Sequence, residues 1–419
     1  MIVSLTIGNY LSFKEKVTIS FTPKSTKDNE DEAVFSTKYS DLELLKGGAF
    51  IGANAGGKSN VLKAISFMRR FILESWHTGV NDPIDVESFK LNSKFTLLPS
   101  FFEITFLIED IKYRYGFEVS KTKVEKEWLF YSTKKSEKKY FEREDNLIDI
   151  LKDFTDGLKN KSLTRSNALL LSTAAQHNGS ISLKISKWFN DLVIISDSNH
   201  QDFIQSTALQ IDKNSTFKNY FKQLIDVVDL GFEDFEIITV NYDHNIINAL
   251  PEEIRKQFKS NQKPQIKTIH KRFDNSGNIV ENIYFDLLSE ESQGTIKYFA
   301  LAGPIIECLM AGKPLFIDEL DSRFHPDLSS AIIQMFNSKD KNPNNAQLIF
   351  TTHNHNFLED KLLRRDQVFF VEKNSRGETS ISYTMLKKKV RKDASYKKDY
   401  DTGKYGAKPN IKTNQLKLF

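Results

Sequence analysis

Apolar and polar positions alternate along the start of the chain. "IVSLTIGNYLSF" (Ile2 to Phe13) and "VTISF" (Val17 to Phe21) follow a period of two and predict strands, and "AFIG" (Ala49 to Gly52) runs straight into a glycine-rich loop. From Ser59 the period changes: Val61, Ile65, Met68 and Ile72 fall on one helical face, so the loop joins a strand to a helix. Further on, "SFFEITFLI", "IKYRYGFEV" and "EKEWLFY" alternate or are rich in aromatics and are separated by charged turns, predicting an antiparallel meander.

Between residues 146 and 275 the patterns lengthen into helical ones, such as "NSTFKNYFKQLIDVVDLGF" and "LPEEIRKQFKSNQK". Their heptads do not persist, which argues for an inserted, mainly helical subdomain rather than a long coiled coil. From Ile283 onward, helix signals (Thr295 to Met310, Asp327 to Phe336) alternate with strand signals (Pro314 to Ile317, Gln347 to Phe350, Gln367 to Val371). That alternation is the grammar of an α/β fold. The expected division is 1–145 for the loop and β-rich flank, 146–280 for the insertion and 281–419 for the remaining α/β part. No internal repeat or low-complexity tract interrupts it.

Composition adds constraints. With 419 residues, 39% hydrophobic and 27% charged, the chain can bury a substantial core. "MIVSLTIGNY" reads as a first strand and not as a signal peptide. The apolar stretch Tyr298 to Met310 is interrupted by Pro304 and Glu307 and falls short of the roughly 20 residues of a membrane span. The single cysteine, Cys308, lies within it and reads as a reduced core thiol. A cytoplasmic protein without a membrane segment is the expectation. A net charge of +4 does not announce a nucleic-acid binder, although Lys387, Lys388, Lys389, Arg391, Lys392, Lys397 and Lys398 form one basic group and Lys134, Lys135, Lys138 and Lys139 another. DNA is therefore kept open as a ligand.

The chemistry is concentrated in four places. Gly52, Gly57, Lys58 and Ser59 satisfy the phosphate-loop spacing G-x-x-x-x-G-K-[ST]. Glycines let backbone amides face phosphates, Lys58 is placed to reach the β and γ phosphates, and the Ser59 hydroxyl to ligate magnesium. The helix N-terminus adds partial positive charge. The loop alone implies a nucleoside triphosphate; with a carboxylate strand further along the chain, ATP with Mg2+ is the expected ligand. "KPLFIDELD" then supplies a buried strand ending in Asp318, for the metal, and Glu319, a candidate general base. "QLIFTTHNHNF" ends a second apolar strand in His353, placed to contact the γ-phosphate and the attacking water, with His355 a competitor further into the turn. In "LLSEESQGTIKYFALAGPIIE", Ser289, Ser292, Gln293 and Gly294 precede a helix, as an N-cap or an anion site.

Phosphate loop, long insertion, serine-glycine cap, helix, acidic strand and histidine strand follow the order of an ABC-type head. The chain resembles the prokaryotic AAA-family ATPases of abortive-infection systems, the RloA-like and AbiL-like group, whose head is shared with OLD-family, RecF and SMC ATPases. "GANAGGKSN" resembles their nucleotide loop, "ESQGT" their signature, "LFIDELDSRFHP" their Walker B and D-loop, "FTTHN" their switch, and "RKDASYKKDYDTGKYGAKPNI" their C-terminal ending. The resemblance implies a nucleotide set of Gly52, Asn54, Gly56, Gly57, Lys58, Ser59 and Asn60, completed by Ser292 and Gly294 of a neighbouring subunit. Ser59 and Asp318 serve the metal in that scheme, and Glu319 and His353 the hydrolysis. It also implies homodimers or higher homo-oligomers joined through the heads, and a separate effector, either a toxin or a Toprim-type nuclease.

Two features depart from the pattern: no Q-loop glutamine is assignable, and the signature lacks the double glycine of transporter domains. Three functions stay open: a defence sensor controlling an effector, a RecF-like or SMC-like repair ATPase, and an OLD-like nuclease. The last would need a metal site for which Glu372, Asp399 and Asp401 are the available acids, with no apolar strand before the second element.

Overall fold

The computed structural model describes residues 1–24, 31–196, 200–226, 228, 230–241, 262–322, 326–358, 362–382 and 396–402. It divides into two compact units, one of Met1–Ile194, Ala311–Asp321 and Ser329–Phe419, the other of Ile195–Met310 and Ser322–Leu328.

The first unit is built on two sheets. One has seven antiparallel strands in the order Leu147–Ile150, Lys138–Glu144, Val124–Ser132, Ile111–Val119, Ser100–Ile108, Ile2–Gly8, Val17–Ser20. The other has six, in the order Val193–Ile195, Pro314–Ile317, Gln347–Thr352, Gly47–Ile51, Val368–Lys373, Thr379–Ser382. Strands 314–317, 347–352, 47–51 and 368–373 run parallel to one another, and Thr379–Ser382 pairs antiparallel with Val368–Lys373. Flanked on both sides, Gly47–Ile51 is buried throughout, which explains an apolar run in place of alternation. Gly47 is required here: its φ is 132°, and a Cβ would lie 1.8 Å from the Leu348 carbonyl oxygen.

Helix Lys58–Glu74 buries Val61, Ile65, Met68 and Ile72, the face read from its period. One continuous core takes in this helix, the antiparallel sheet through Leu5 and Ile104, and the parallel sheet through Phe50, Phe316 and Ile349. Aromatic rings supply much of it: Phe67 lies 4.9 Å from Phe102, and Phe50 stacks on Phe369 at 4.9 Å. The Gln347 amide stitches the sheets through buried polar bonds, accepting from the Ile2 N–H at 2.6 Å and donating to the Ile2 and Leu45 carbonyls at 3.0 Å each.

Helices Leu170–Gln176 and Ser180–Asn190 also belong to this unit. The expected boundary at 146 is therefore corrected to about 195. The cause is a pair of buried carboxylates, Glu127 on the sheet and Asp156 on helix Thr155–Asn160, that tie these helices to the rest of the unit. Glu127, on strand Val124–Ser132, accepts from the Leu170 and Leu171 amides at 2.7 and 3.1 Å and from the Tyr115 hydroxyl at 2.9 Å. Asp156 does the same for the Ile181 and Ser182 amides, both at 2.9 Å. Burial pushes the Glu127 carboxyl upward, while Arg143 at 3.7 Å pulls it down.

The second unit carries the helices expected of the insertion, His200–Lys213 and Ser215–Asp226, together with Gln293–Ala311. It also carries a three-stranded antiparallel sheet, Asp234–Asn241, Gln262–Phe273 and Ile279–Asp286, that the helical reading of this region did not anticipate. The last two strands are joined by a tight Asp274 to Gly277 turn, with Gly277 at φ 84°. Most of "LPEEIRKQFKSNQK" lies outside the described residues. Helix Gln293–Ala311, 19 residues long, does reach the length and apolarity of a membrane span despite Pro304, but 72% of its apolar window is buried within the fold.

Replacing Glu127 by Leu leaves the Arg143 guanidinium buried without its countercharge. The expected loss is about 3–5 kcal/mol in urea unfolding. An unchanged midpoint would show that the clamp does not hold helices 170–190 in place.

Candidate functional site

Three parallel strands of the first unit end at the same edge of the sheet, because Ile317 is registered on Phe350 and Thr352 on Ile51. Side chains just beyond those ends are therefore brought together, at the carboxyl edge where open α/β sheets bind ligands.

The loop after Ile51 is shaped by its glycines. Gly57 has φ 101°, and a Cβ there would lie 2.3 Å from Thr379 Oγ1 and 2.9 Å from Ser12 Oγ. Those two hydroxyls form a platform behind the loop. They lie 2.8 Å apart, Thr379 Oγ1 donates to the Gly56 carbonyl at 3.0 Å, and Asn60 Nδ2 donates to Ser12 Oγ at 2.6 Å. Asn54 at the loop tip is exposed. The helix that follows has no side-chain cap and no acidic residue in its first turn, so its N-terminus keeps its positive potential for an anion. Lys58 is buried and folded onto the loop, donating to the Gly52 and Ala53 carbonyls at 2.9 Å each. Burial lowers its pKa, against the pull of Glu319, Asp318 and Asp321.

Asp318 is the hub. Its Oδ1 accepts from Ser59 Oγ at 3.0 Å and from Thr351 Oγ1 at 2.6 Å. The same Thr351 oxygen accepts the Glu319 N–H at 2.8 Å, and the Thr351 carbonyl accepts the Leu320 N–H at 3.1 Å. These bonds hold Glu319 at φ 48°, a left-handed conformation unusual for a side-chain-bearing residue. Neighbouring oxygens on an octahedral magnesium, with metal–oxygen bonds of about 2.0–2.1 Å, lie about 3 Å apart. Ser59 Oγ and Asp318 Oδ1 already have that spacing, so the donor set fits the ion.

His353 follows the next strand end, its side chain 51% exposed, with Nε2 3.5 Å from Asp321 Oδ2. The Asp321 side chain is 6% exposed, and its Oδ1 has no hydrogen-bond partner among the described residues. The competitor His355 packs instead on Tyr400, ring centroids 5.5 Å apart, and Tyr400 in turn on Phe370. Ser292 and Gly294 belong to the second unit. There Ser292 Oγ accepts the Thr295 N–H at 3.1 Å and lies 2.9 Å from Thr295 Oγ1, an N-cap on helix Gln293–Ala311, while its residue remains exposed. Among the described residues no group of three or more His, Cys, Asp or Glu side chains forms a metal cage. Glu372 is exposed at the end of strand Val368–Lys373.

Sequence reasoning missed Ser12 and Thr379, which lie far from the loop along the chain and match no motif. It passed over Thr351 as a flank of His353, although a hydroxyl closing an apolar strand beside the acidic strand was a usable signal.

A family model described as "AAA domain, putative AbiEii toxin, Type IV TA system" matches residues 49–359. The chain belongs to this AAA family. The match spans the loop, the insertion, the acidic strand and the histidine strand, and the fold is α/β, a parallel sheet carrying the loop beside an antiparallel β flank. Similar solved structures include the SMC head domain from Thermotoga maritima, at 14% identity and TM-score 0.38, covering 91% of this chain and 98% of that one. Another is the Smc head domain with an extended coiled coil bound to the C-terminal domain of ScpA, from Pyrococcus furiosus, at 12% identity and TM-score 0.39, covering 91% and 95%. No curated protein matches the chain.

The double role of Thr351 yields a test within this AAA head. Thr351→Val keeps the shape but leaves the Glu319 N–H without its acceptor, and should cost about 1–3 kcal/mol in denaturant unfolding. Thr351→Ser should stay near the parent. Equal stability of the valine and serine variants would show that the hydroxyl does not organise the acidic turn.

Proposed function

We propose that this AAA-family protein binds ATP with Mg2+ and hydrolyses it slowly, as the sensor of a cytoplasmic antiviral defence system whose damaging step belongs to a partner effector. The observation that carries the catalytic reading is the 3.0 Å bond from Ser59 to Asp318, which joins the loop to the acidic strand at a spacing suited to the metal. The backbone of Gly52, Asn54, Gly56 and Gly57 cradles the phosphates, with Asn60 anchoring the loop through Ser12. When ATP enters, Lys58 exchanges two carbonyl acceptors for phosphate oxygens, a charge-assisted and stronger bond. Ser59 and Asp318 would hold magnesium, which when bound would neutralise phosphate charge. Glu319 takes the proton of the attacking water. His353 donates to the γ-phosphate side, steadied by the buried Asp321 carboxylate.

The site is completed in trans: the exposed Ser292 and the half-buried Gly294, at a helix N-terminus, close over the γ-phosphate held by a second copy. Closure shifts a bound partner by its differential affinity for the open and closed states, commonly about 5- to 150-fold, enough to retain or release an effector. The family description, which names a toxin–antitoxin context, supports an effector over a housekeeping repair role.

Lys58→Ala should weaken ATP binding at least about tenfold by calorimetry, since a charge-assisted contact is lost. Unchanged affinity in a folded variant would sink the loop assignment. Glu319→Gln should still bind ATP but turn over about 100-fold or more slowly, because the base is gone, and should accumulate the ATP-closed assembly. In phage challenge of cells carrying the native locus, deletion of the partner gene or Glu319→Gln should abolish protection. Protection by this chain alone would overturn the effector requirement.

A further inference from the structure

Directly before Ser292 stands Glu291, a carboxylate one residue from the proposed anion-receiving cap. A free negative charge there would oppose the partial positive charge of the helix N-terminus and repel a γ-phosphate. The structure turns it inward. The Glu291 side chain is 8% exposed, and its Oε1 accepts from Thr268 Oγ1 at 2.5 Å and lies 2.8 Å from His270 Nε2. Both partners stand on the inner face of strand Gln262–Phe273, the central strand of the three-stranded sheet. His270 is itself held between Phe285, with ring centroids 4.3 Å apart, and Phe232 at 6.3 Å; Phe232 reaches Phe299 of the signature helix at 5.9 Å.

The segment between sheet and cap is short and tied at both ends. Asp286, which closes the last strand, accepts from the Leu288 and Ser289 amides, each at 3.1 Å, and its own N–H is held by Glu290. Ser292 then caps the helix. The sheet, the turn and the cap thus form one hydrogen-bonded path in the second unit, with Glu291 as its buried joint.

We propose that His270 and Thr268 are positioning residues for the signature. They sequester the Glu291 charge and, through it, hold Ser292 and Gly294 in the orientation that receives a phosphate. This rests on the reading of Ser292 and Gly294 as the element that closes over ATP in trans. It assigns the inserted sheet a role in that closure: a displacement of strand Gln262–Phe273 releases Glu291 toward the cap and switches the signature off.

The test compares full-length variants by ATP affinity, ATP-driven self-association and turnover, with thermal unfolding as the control for folding. His270→Ala should leave ATP affinity at the loop unchanged while lowering association and turnover about tenfold or more, as expected for losing a charge-assisted bond. Glu291→Gln alone should stay near the parent, because its amide oxygen still accepts from Thr268 and His270. Glu291→Gln placed in the His270→Ala background should restore turnover to within about threefold of the parent, since no charge is left to hide. His270→Gln, which keeps a donor at similar reach, should also retain function and guards against a folding defect in the alanine variant. Undiminished turnover in His270→Ala, or no rescue by Glu291→Gln in a folded double variant, overturns the proposal. Ser292→Arg separates the underlying reading: full turnover in that variant would overturn closure in trans itself, whereas loss in Ser292→Arg with normal His270→Ala would overturn the positioning role alone.

Discussion

The Asp318 carboxylate depends on three strand ends arriving together. Its Oδ1 accepts hydrogen bonds from Ser59, at the start of the helix that follows one strand, and from Thr351, near the end of another. Both bonds are short enough that a one-residue slip of either strand would break them, and a slip would also turn each buried strand inside out. The register is fixed further down the sheet, where Gln347 links strand Gln347–Thr352 to Ile2 and Leu45 and the close approach at Gly47 admits no side chain. The chemistry at the edge therefore rests on packing at the opposite end of the same strands.

Energetically, the loop is a region of stored contrast. Lys58 is buried, its charged form penalised, and Glu319 and Ala55 sit at positive φ without being glycine. Such features persist only where the surroundings over-determine them. Here the surroundings are the Ser12–Thr379–Asn60 hydroxyl platform on one side and the Thr351 bonds on the other. A loop so held is preorganised, with Lys58 folded back onto the Gly52 and Ala53 carbonyls.

The second unit keeps an acidic residue directly before an exposed helix cap. Burying Glu291 against Thr268 and His270 removes that charge from the exposed surface at the cost of a buried polar cluster, which is stable only when satisfied.

Periodicity and motif spacing determined the parallel strands, the loop-to-helix joint, the antiparallel meander and the residues of the acidic and histidine strands, because each is a local pattern whose physics acts within a few residues of chain. The same local logic placed Ser292 at a helix cap. Tertiary structure alone decided the rest. Glu127 and Asp156 reach across the chain to cap helices, so the first unit extends to about residue 195, beyond the change of pattern at 146. Ser12 and Thr379, 367 residues apart, meet behind the loop. In each case the deciding contact joins residues that no window along the chain contains together, and burial of a polar group with a distant partner fixed the outcome.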